Sequence, residues 1–174
     1  METNNTNYSF RKAEMADAAK VWEIIAQAIE RRRRDGSTQW QDGYPNPTSI
    51  QNDIADGWGY VIEIGSEIAA YCALIFDMEP AYEKIEGKWH SDGPYAVLHR
   101  MAVSDAFAGQ GLAKAIFREA EKTVLQSGIK TIKVDTNFDN VAMLSILKSL
   151  GYQYRGEVYF RGSARKAFEK TLME

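Results

Sequence analysis

The sequence predicts an α/β domain built on a central, mixed and mostly antiparallel sheet flanked by helices. Three observations carry that prediction. Two long stretches repeat apolar residues at the 3.6-residue helical period, residues 60–76 read as a strand hairpin, and a strand–helix–strand unit follows residue 95.

The elements follow in order. Residues 7–12 (NYSFRK) read as a short first strand. Val21, Ile24, Ile25, Ala28 and Ile29 then lie on one helical face, and the helix ends in ERRRRDG, with basic residues suited to a helix C-terminus and a stopping Gly. Residues 36–46 form a loop, and a short helix over 48–57 follows with Asn46 or Thr48 as its cap. Tyr60–Ile64 and Glu67–Phe76 are strands rich in β-branched and aromatic residues, joined by a Gly-Ser turn. Residues 77–93 form a long loop carrying Glu79, Tyr82, Trp89 and His90, and loops of that length are often functional. A strand over 95–103 runs into a turn and then a helix over 112–127, with Leu112, Ile116, Ala120 and Val124 on one stripe and Gly128 as its stop. A strand over 130–135, a helix over about 140–150 with Met143, Ile146, Leu147 and Leu150 inward, and strands over 152–160 and 164–171 complete the order βααβββαβαββ.

Composition sets the bounds. The 174 residues fit one domain, spanning 1–174, and no linker, repeat or low-complexity tract divides them. Twenty-one Lys and Arg against 24 Asp and Glu give a net charge of −3, which asks for no nucleic-acid partner. One Cys excludes a disulfide framework and a Cys-pair zinc site, and no metal is expected. The longest apolar run, Ile68 to Phe76, is far short of the roughly 20 residues of a membrane span. The polar start METNNTNYSF lacks the basic and apolar regions of a signal peptide. The expected protein is soluble and cytoplasmic.

The stretch that carries chemistry is LHRMAVSDAFAGQGLAKAIF, residues 98–117. A strand leads into a turn holding Gly109 and Gly111 and then into an amphipathic helix. Glycines let backbone N–H groups approach a ligand closely, and the helix N-terminus adds partial positive charge, so together they suit a pyrophosphate. No GK[ST] follows, so this is no P-loop, and the dinucleotide fingerprint is incomplete. The plain alternative is a helix-start turn. The loop Ala108-Gly109-Gln110-Gly111-Leu112-Ala113 after a strand ending at Val103, together with NVAMLSILKSLGY at 140–152 and the element order, resembles the GNAT superfamily of acyl-CoA-dependent N-acyltransferases.

That resemblance implies acetyl-CoA as donor and a primary amine, of a small molecule, as acceptor, with direct attack in a ternary complex. It implies CoA contacts from Met101, Ala102, Val103, Ala108, Gly109, Gln110, Gly111, Leu112, Ala113 and Asn140. For Asn140 the plain reading is a helix N-cap. Two positions depart from the family pattern. Ala108 stands where Gln or Arg is usual, and Leu147 stands where many members carry a Tyr acid, with Tyr152 or Tyr154 as substitutes that nothing in the sequence selects.

An attacking alkylamine must lose a proton. Residues 97, 99, 101 and 103 alternate onto one strand face, and His99 lies on it. Histidine takes up protons near neutral pH, and the arylalkylamine branch of the family is similar in placing a proton-removing His there. The plain reading of His99 is a hydrogen-bonded sheet residue. Glu79, beside Pro80, is the competing base by resemblance and otherwise a surface carboxylate. The resemblance puts the acceptor site on loops holding Trp40, Tyr44, Tyr82, Trp89, Tyr159 and Arg161, of which Trp40, Tyr44 and Tyr82 are the substrate-binding candidates. For each of them simple packing is the alternative. Arg31–Arg34 reads as a solvated helix end with a CoA 3′-phosphate contact as the alternative, and Cys72 as a buried small hydrophobe. Two other functions fit the resemblance: a non-catalytic acyl-CoA-binding or regulatory module, and a protein N-terminal or lysine acetylase. Association of two copies through the final strands or the sheet face is also implied.

Overall fold

The computed structural model describes residues 7–173. Of the polar start METNNTNYSF, residues 1–6 therefore lie outside the described residues. Eight strands form one mixed sheet in the order β1-β2-β3-β5-β6-β8-β7-β4. The strands are β1 Ser9–Lys12, β2 Gly59–Ile64, β3 Glu67–Ile75, β4 Glu86–Gly87, β5 Ala96–Val103, β6 Thr131–Thr136, β7 Gln153–Phe160 and β8 Ser163–Thr171. The helices are α1 Ala18–Arg34, α2 Pro47–Ala55, α3 Pro80–Glu83, α4 Leu112–Gln126 and α5 Val141–Ser149. Among the described residues no helix is long and apolar enough to cross a membrane.

The chain forms two compact units. The first holds the described residues through Leu74 together with Arg100–Phe117, and the second holds Ile75–His99 and the residues from Arg118 onward. In the first, β1, β2 and β3 pair antiparallel, with Phe10 opposite Ile62 and Val61 opposite Tyr71. The predicted face of α1 supplies the core, since Val21, Ile24 and Ile25 are fully buried against Ile50 of α2, Val61, Tyr71 and Ala102. Asn46 caps α2 by accepting the Ser49 N–H at 3.0 Å, and Pro47 takes the first helical position, where no N–H is needed.

In the second unit β6, β8 and β7 pair antiparallel in that order, and β5 pairs parallel to β6 through Ala96↔Ile132 and Val97↔Lys133. The segment read as a 77–93 loop is more ordered than its composition suggests. Glu79 accepts the Ala81 N–H and Pro80 starts the one-turn helix α3. Strand β4 then pairs with β7 through Gly87↔Gly156. The two backbones approach so closely there that a Cβ on either glycine would lie 2.2 Å from a carbonyl oxygen opposite. A two-residue strand containing Gly carries no alternation pattern to recognise.

Candidate functional site

The second unit gathers the titratable residues. Lys133 lies opposite Val97 in the β5–β6 register, so two residues further along each strand His99 and Asp135 become neighbours. His99 Nδ1 is 3.6 Å from Asp135 Oδ1, and its Nε2 is 3.6 Å from Glu79 Oε2. Both separations exceed a direct hydrogen bond, and Nε2 is buried with no hydrogen-bond partner among the described residues. The two base candidates are therefore one group, and Asp135, which in sequence is no more than an alternating strand residue, is its third member. A proton taken up by this imidazole would create a cation 3.6 Å from each of two carboxylates.

Tyr82 explains how the group is held. Its hydroxyl donates to Asp135 Oδ1 at 2.6 Å, its ring centroid lies 5.9 Å from that of the imidazole, and the Phe160 ring packs perpendicular to both at 6.2 and 5.9 Å. Burial and the adjacent Asp135 carboxylate push the Tyr82 hydroxyl well above the usual tyrosine range, so it stays a donor. The expectation that Tyr82 lines an acceptor pocket is corrected, because the residue has no exposed surface. It packs under the imidazole and orients Asp135. Trp89 fixes Tyr82 in turn, its indole N–H donating to the Tyr82 carbonyl at 2.8 Å.

The first unit holds the glycine loop. After β5, a 3₁₀ turn at Asp105–Phe107 leads into the exposed residues 108–111. Gly109 and Gly111 have φ of 78° and 77°, a left-handed conformation costly for other residues, and a Cβ at either would meet nothing within 4 Å. Glycine is required by the backbone path, and the surface over it is open. The N–H groups of Gly111, Leu112, Ala113 and Lys114 precede the first helical bond, from Ala115 to the Gly111 carbonyl at 3.1 Å. They offer oriented donors at the positive end of α4. Ala108 is different, since its N–H already donates to the Asp105 carbonyl at 3.3 Å.

Helix α1 anchors this loop, an arrangement that only the fold reveals. Arg31 pairs with the Asp105 carboxylate and donates to the Val103 carbonyl at 3.1 Å, while Gln27 accepts the Asp105 N–H at 2.9 Å. Arg33 and Arg34 pair with Glu30 on an exposed helix face, so the reading of a solvated helix end holds for them and not for Arg31. Arg100 has φ of 50°, which interrupts the two-residue alternation of β5, so the shared face assumed for residues 97, 99, 101 and 103 does not carry across it. Its guanidinium grips Asp53 at 2.6 and 2.7 Å and donates to the Tyr44 hydroxyl. Tyr71 donates to the same Asp53 at 2.7 Å. Trp40, with φ of 62°, packs partly buried against the α1–α2 core.

The remaining candidates are structural in their observed contacts. Asn140 caps α5 by accepting the Met143 N–H at 3.3 Å. Leu147 is fully buried on the apolar stripe. Tyr152 is buried with its hydroxyl donating to Glu121 at 3.0 Å, and Tyr154 lies exposed against Phe168. Cys72 is fully buried, and burial pushes its thiol up, away from nucleophilic use. Tyr159 donates to Glu86, and Arg161 occupies the β7–β8 turn. Among the described residues no three His, Cys, Asp or Glu side chains form a group able to hold a metal ion.

The chain is similar to known proteins over most of its length. The acetyltransferase (GNAT) family pattern matches residues 22–152. An uncharacterised N-acetyltransferase of Bacillus subtilis (strain 168), YesJ, is 30% identical over 161 residues, covering 90% of this chain and 86% of that protein. The crystal structure of a GNAT-family acetyltransferase from Streptococcus agalactiae 2603 is 34% identical with a TM-score of 0.87, covering 96% of both chains. The fold is shared at 16% identity and a TM-score of 0.69 by yncA from Salmonella typhimurium, solved with its cofactor acetyl-CoA, over 96% of this chain and 95% of that one. With its glycine loop and strand-borne histidine inside the matched span, the chain belongs to the acetyltransferase (GNAT) family and is an N-acetyltransferase.

Proposed function

We propose that this enzyme transfers an acetyl group from acetyl-CoA to the primary amine of a small molecule, by direct attack in a ternary complex within one domain. The observation that carries the reading is His99, its buried Nε2 without a hydrogen-bond partner and a carboxylate beside each ring nitrogen. The donor set of the glycine loop fits a CoA pyrophosphate: N–H groups at a helix start, open surface and no side chain to displace. When bound, acetyl-CoA supplies the acetyl group as a thioester.

In this reading the N–H groups of Gly109, Gln110, Gly111, Leu112 and Ala113 hold the pyrophosphate, and the backbone of Met101, Ala102 and Val103 pairs with the pantetheine arm. Ala108 shapes the turn, and Asn140 serves the arm from the start of α5. His99 Nε2 accepts the proton of the incoming amine, while Glu79 and Asp135 stabilise the imidazolium and Tyr82 keeps Asp135 in place. As the N–C bond forms the C–S bond breaks, and the thiolate leaves without a tyrosine acid at Leu147. A thiol pKa near 8.5 makes that departure cost only about 2 kcal/mol at neutral pH. Trp40 and Tyr44 shape the acceptor side, and the ties of Tyr44 to Arg100 and of Trp40 to the core support a fixed pocket for a small acceptor over an open cleft for a polypeptide.

The test is a panel of arylalkylamines, amino acids, polyamines and N-terminal peptides incubated with acetyl-CoA while free thiol is followed. Amine-dependent thiol release with one small-amine class is expected. Release with peptides alone would overturn the acceptor class, and CoA binding without release for any amine would overturn the assigned reaction.

A further inference from the structure

A second feature lies in the unit that holds His99. A cavity of about 580 Å³ is bounded by the 76–95 segment, with Ile85, Trp89 and Tyr95 as apolar wall, Lys133 and Lys88 as its cations, and Asp77, Glu83 and Asp92 as its acids. Lys133 is only 3% exposed. Its ammonium sits 3.8 Å from the Tyr95 ring centroid and 4.4 Å from that of Trp89, and no hydrogen-bond acceptor among the described residues reaches it. Two aromatic faces satisfy the charge but none of its three N–H donors. Glu169 lies opposite in the β6–β8 register, but its oxygens are taken up by the N–H groups of His90 and Ser91, the Ser91 hydroxyl and Arg155. Burial pushes the Lys133 ammonium below the usual lysine range, while Glu169, Glu83 and Asp92 oppose that shift.

The charges are sorted by depth. Lys133 is buried, whereas Asp77, Glu83 and Asp92 are exposed at the mouth, where they outnumber the exposed Lys88. Tyr95 already donates to Glu83 Oε1 at 2.9 Å, which leaves the second oxygen of that carboxylate to accept. A simple anion reaching Lys133 would meet three carboxylates, and a simple cation drawn to the acids would meet the ammonium. A ligand carrying both charges meets neither penalty. We propose that this cavity binds a small zwitterion, an α-amino acid or a compound of the same charge pattern, with its carboxylate on Lys133 and its ammonium toward Glu83 and Asp92. The hydrocarbon part lies against Trp89, Tyr95 and Ile85. Because none of His99, Trp40 and Tyr44 lines this cavity, the proposal stands apart from the acceptor reading above.

The experiment uses the full chain without acetyl-CoA, so that no acetyl transfer takes place. L-2-Aminobutyrate is titrated beside its two fragments, butanoate and n-propylamine, while the Trp89 indole N–H resonance and the calorimetric heat are followed. Saturable millimolar binding of 2-aminobutyrate is expected, with each fragment at least about tenfold weaker, as loss of one charge-assisted hydrogen bond implies. Lys133→Met should weaken the zwitterion by about tenfold or more, and His99→Ala should leave its binding unchanged. Should Lys133→Met fail to fold, Glu83→Gln at an exposed position carries the test, weakening 2-aminobutyrate but not butanoate. Equal binding of the three probes, indifference to the Lys133 and Glu83 changes, loss of binding in His99→Ala, or no saturation up to about 100 mM would each overturn the proposal.

Discussion

His99 has two carboxylates within 3.6 Å and a ring nitrogen left without a hydrogen bond, an arrangement poorly explained by packing alone. Removing a positioned acid–base group typically costs about 10²–10⁴-fold in rate. His99→Ala should lower acetyl transfer at neutral pH within that range while CoA still raises the melting temperature. Unchanged turnover would return His99 to a sheet residue. Glu169 poses a stability question. Burial alone would push its carboxyl up, but the N–H of His90, the hydroxyl and N–H of Ser91 and the Lys133 charge outweigh that and hold it below the usual carboxylate range. A depressed folded-state value stabilises above the ordinary glutamate range near 4.3 and is lost as pH falls through the folded value. Glu169→Gln should therefore cost about 2 kcal/mol at pH 7, a fall of roughly 4–8 °C in Tm, and the gap should narrow as pH falls from the ordinary glutamate range through the lower folded value. A gap that does not narrow with acid would mean the ionised carboxylate is not the source. Several single residues are legible in the sequence itself. Leu147 and Cys72 sit inside apolar patterns and are buried as those patterns require. Asp135 and Tyr82 are not legible in their observed roles, since what each does depends on a partner distant in sequence.

Among elements, helix starts and turns are the readable part, because their signals are local. Asn46 and Asn140 both cap helices, each accepting the N–H three residues on. The glycine loop belongs to this scale. Gly111→Ala places a Cβ in a left-handed conformation, at about 1 kcal/mol, with no steric clash to confuse the result. Relief of that strain must turn the N–H groups at the start of α4. Gly111→Ala is accordingly expected to weaken CoA severalfold by calorimetry for that small loss of stability. Undiminished affinity would remove these donors from the CoA site. What escapes at this scale are α3 and β4. A single turn started by Glu79-Pro80 and a two-residue strand built on Gly87 are too short to show periodicity, and β4 exists only because Gly156 lets β7 come close. Arg31 escapes too, since a basic helix end looks the same whether it faces solvent or grips Asp105.

For the whole molecule, a net charge of −3 gives no general attraction for an anionic donor, and the proposed reading accordingly assigns the affinity to local N–H groups. A ligand at a hundredfold excess over its dissociation constant stabilises the folded state by about 2.7 kcal/mol. Acetyl-CoA at that excess should raise the melting temperature by roughly 5–10 °C in differential scanning fluorimetry, and adenosine without a pyrophosphate should not. Equal stabilisation by both would sink the role given to the glycine loop. By itself the sequence determined the elements other than α3 and β4, the glycine turn, the buried stripes and the family, because hydrophobic period, caps and glycines act on the backbone within a few residues. The tertiary structure alone decided that His99, Glu79 and Asp135 are one group, that Tyr82 lies beneath it, and that Lys133 faces a cavity. Those outcomes depend on the register of β5 on β6 and on where the 76–95 segment comes to rest, which are non-local pairings that no short pattern encodes.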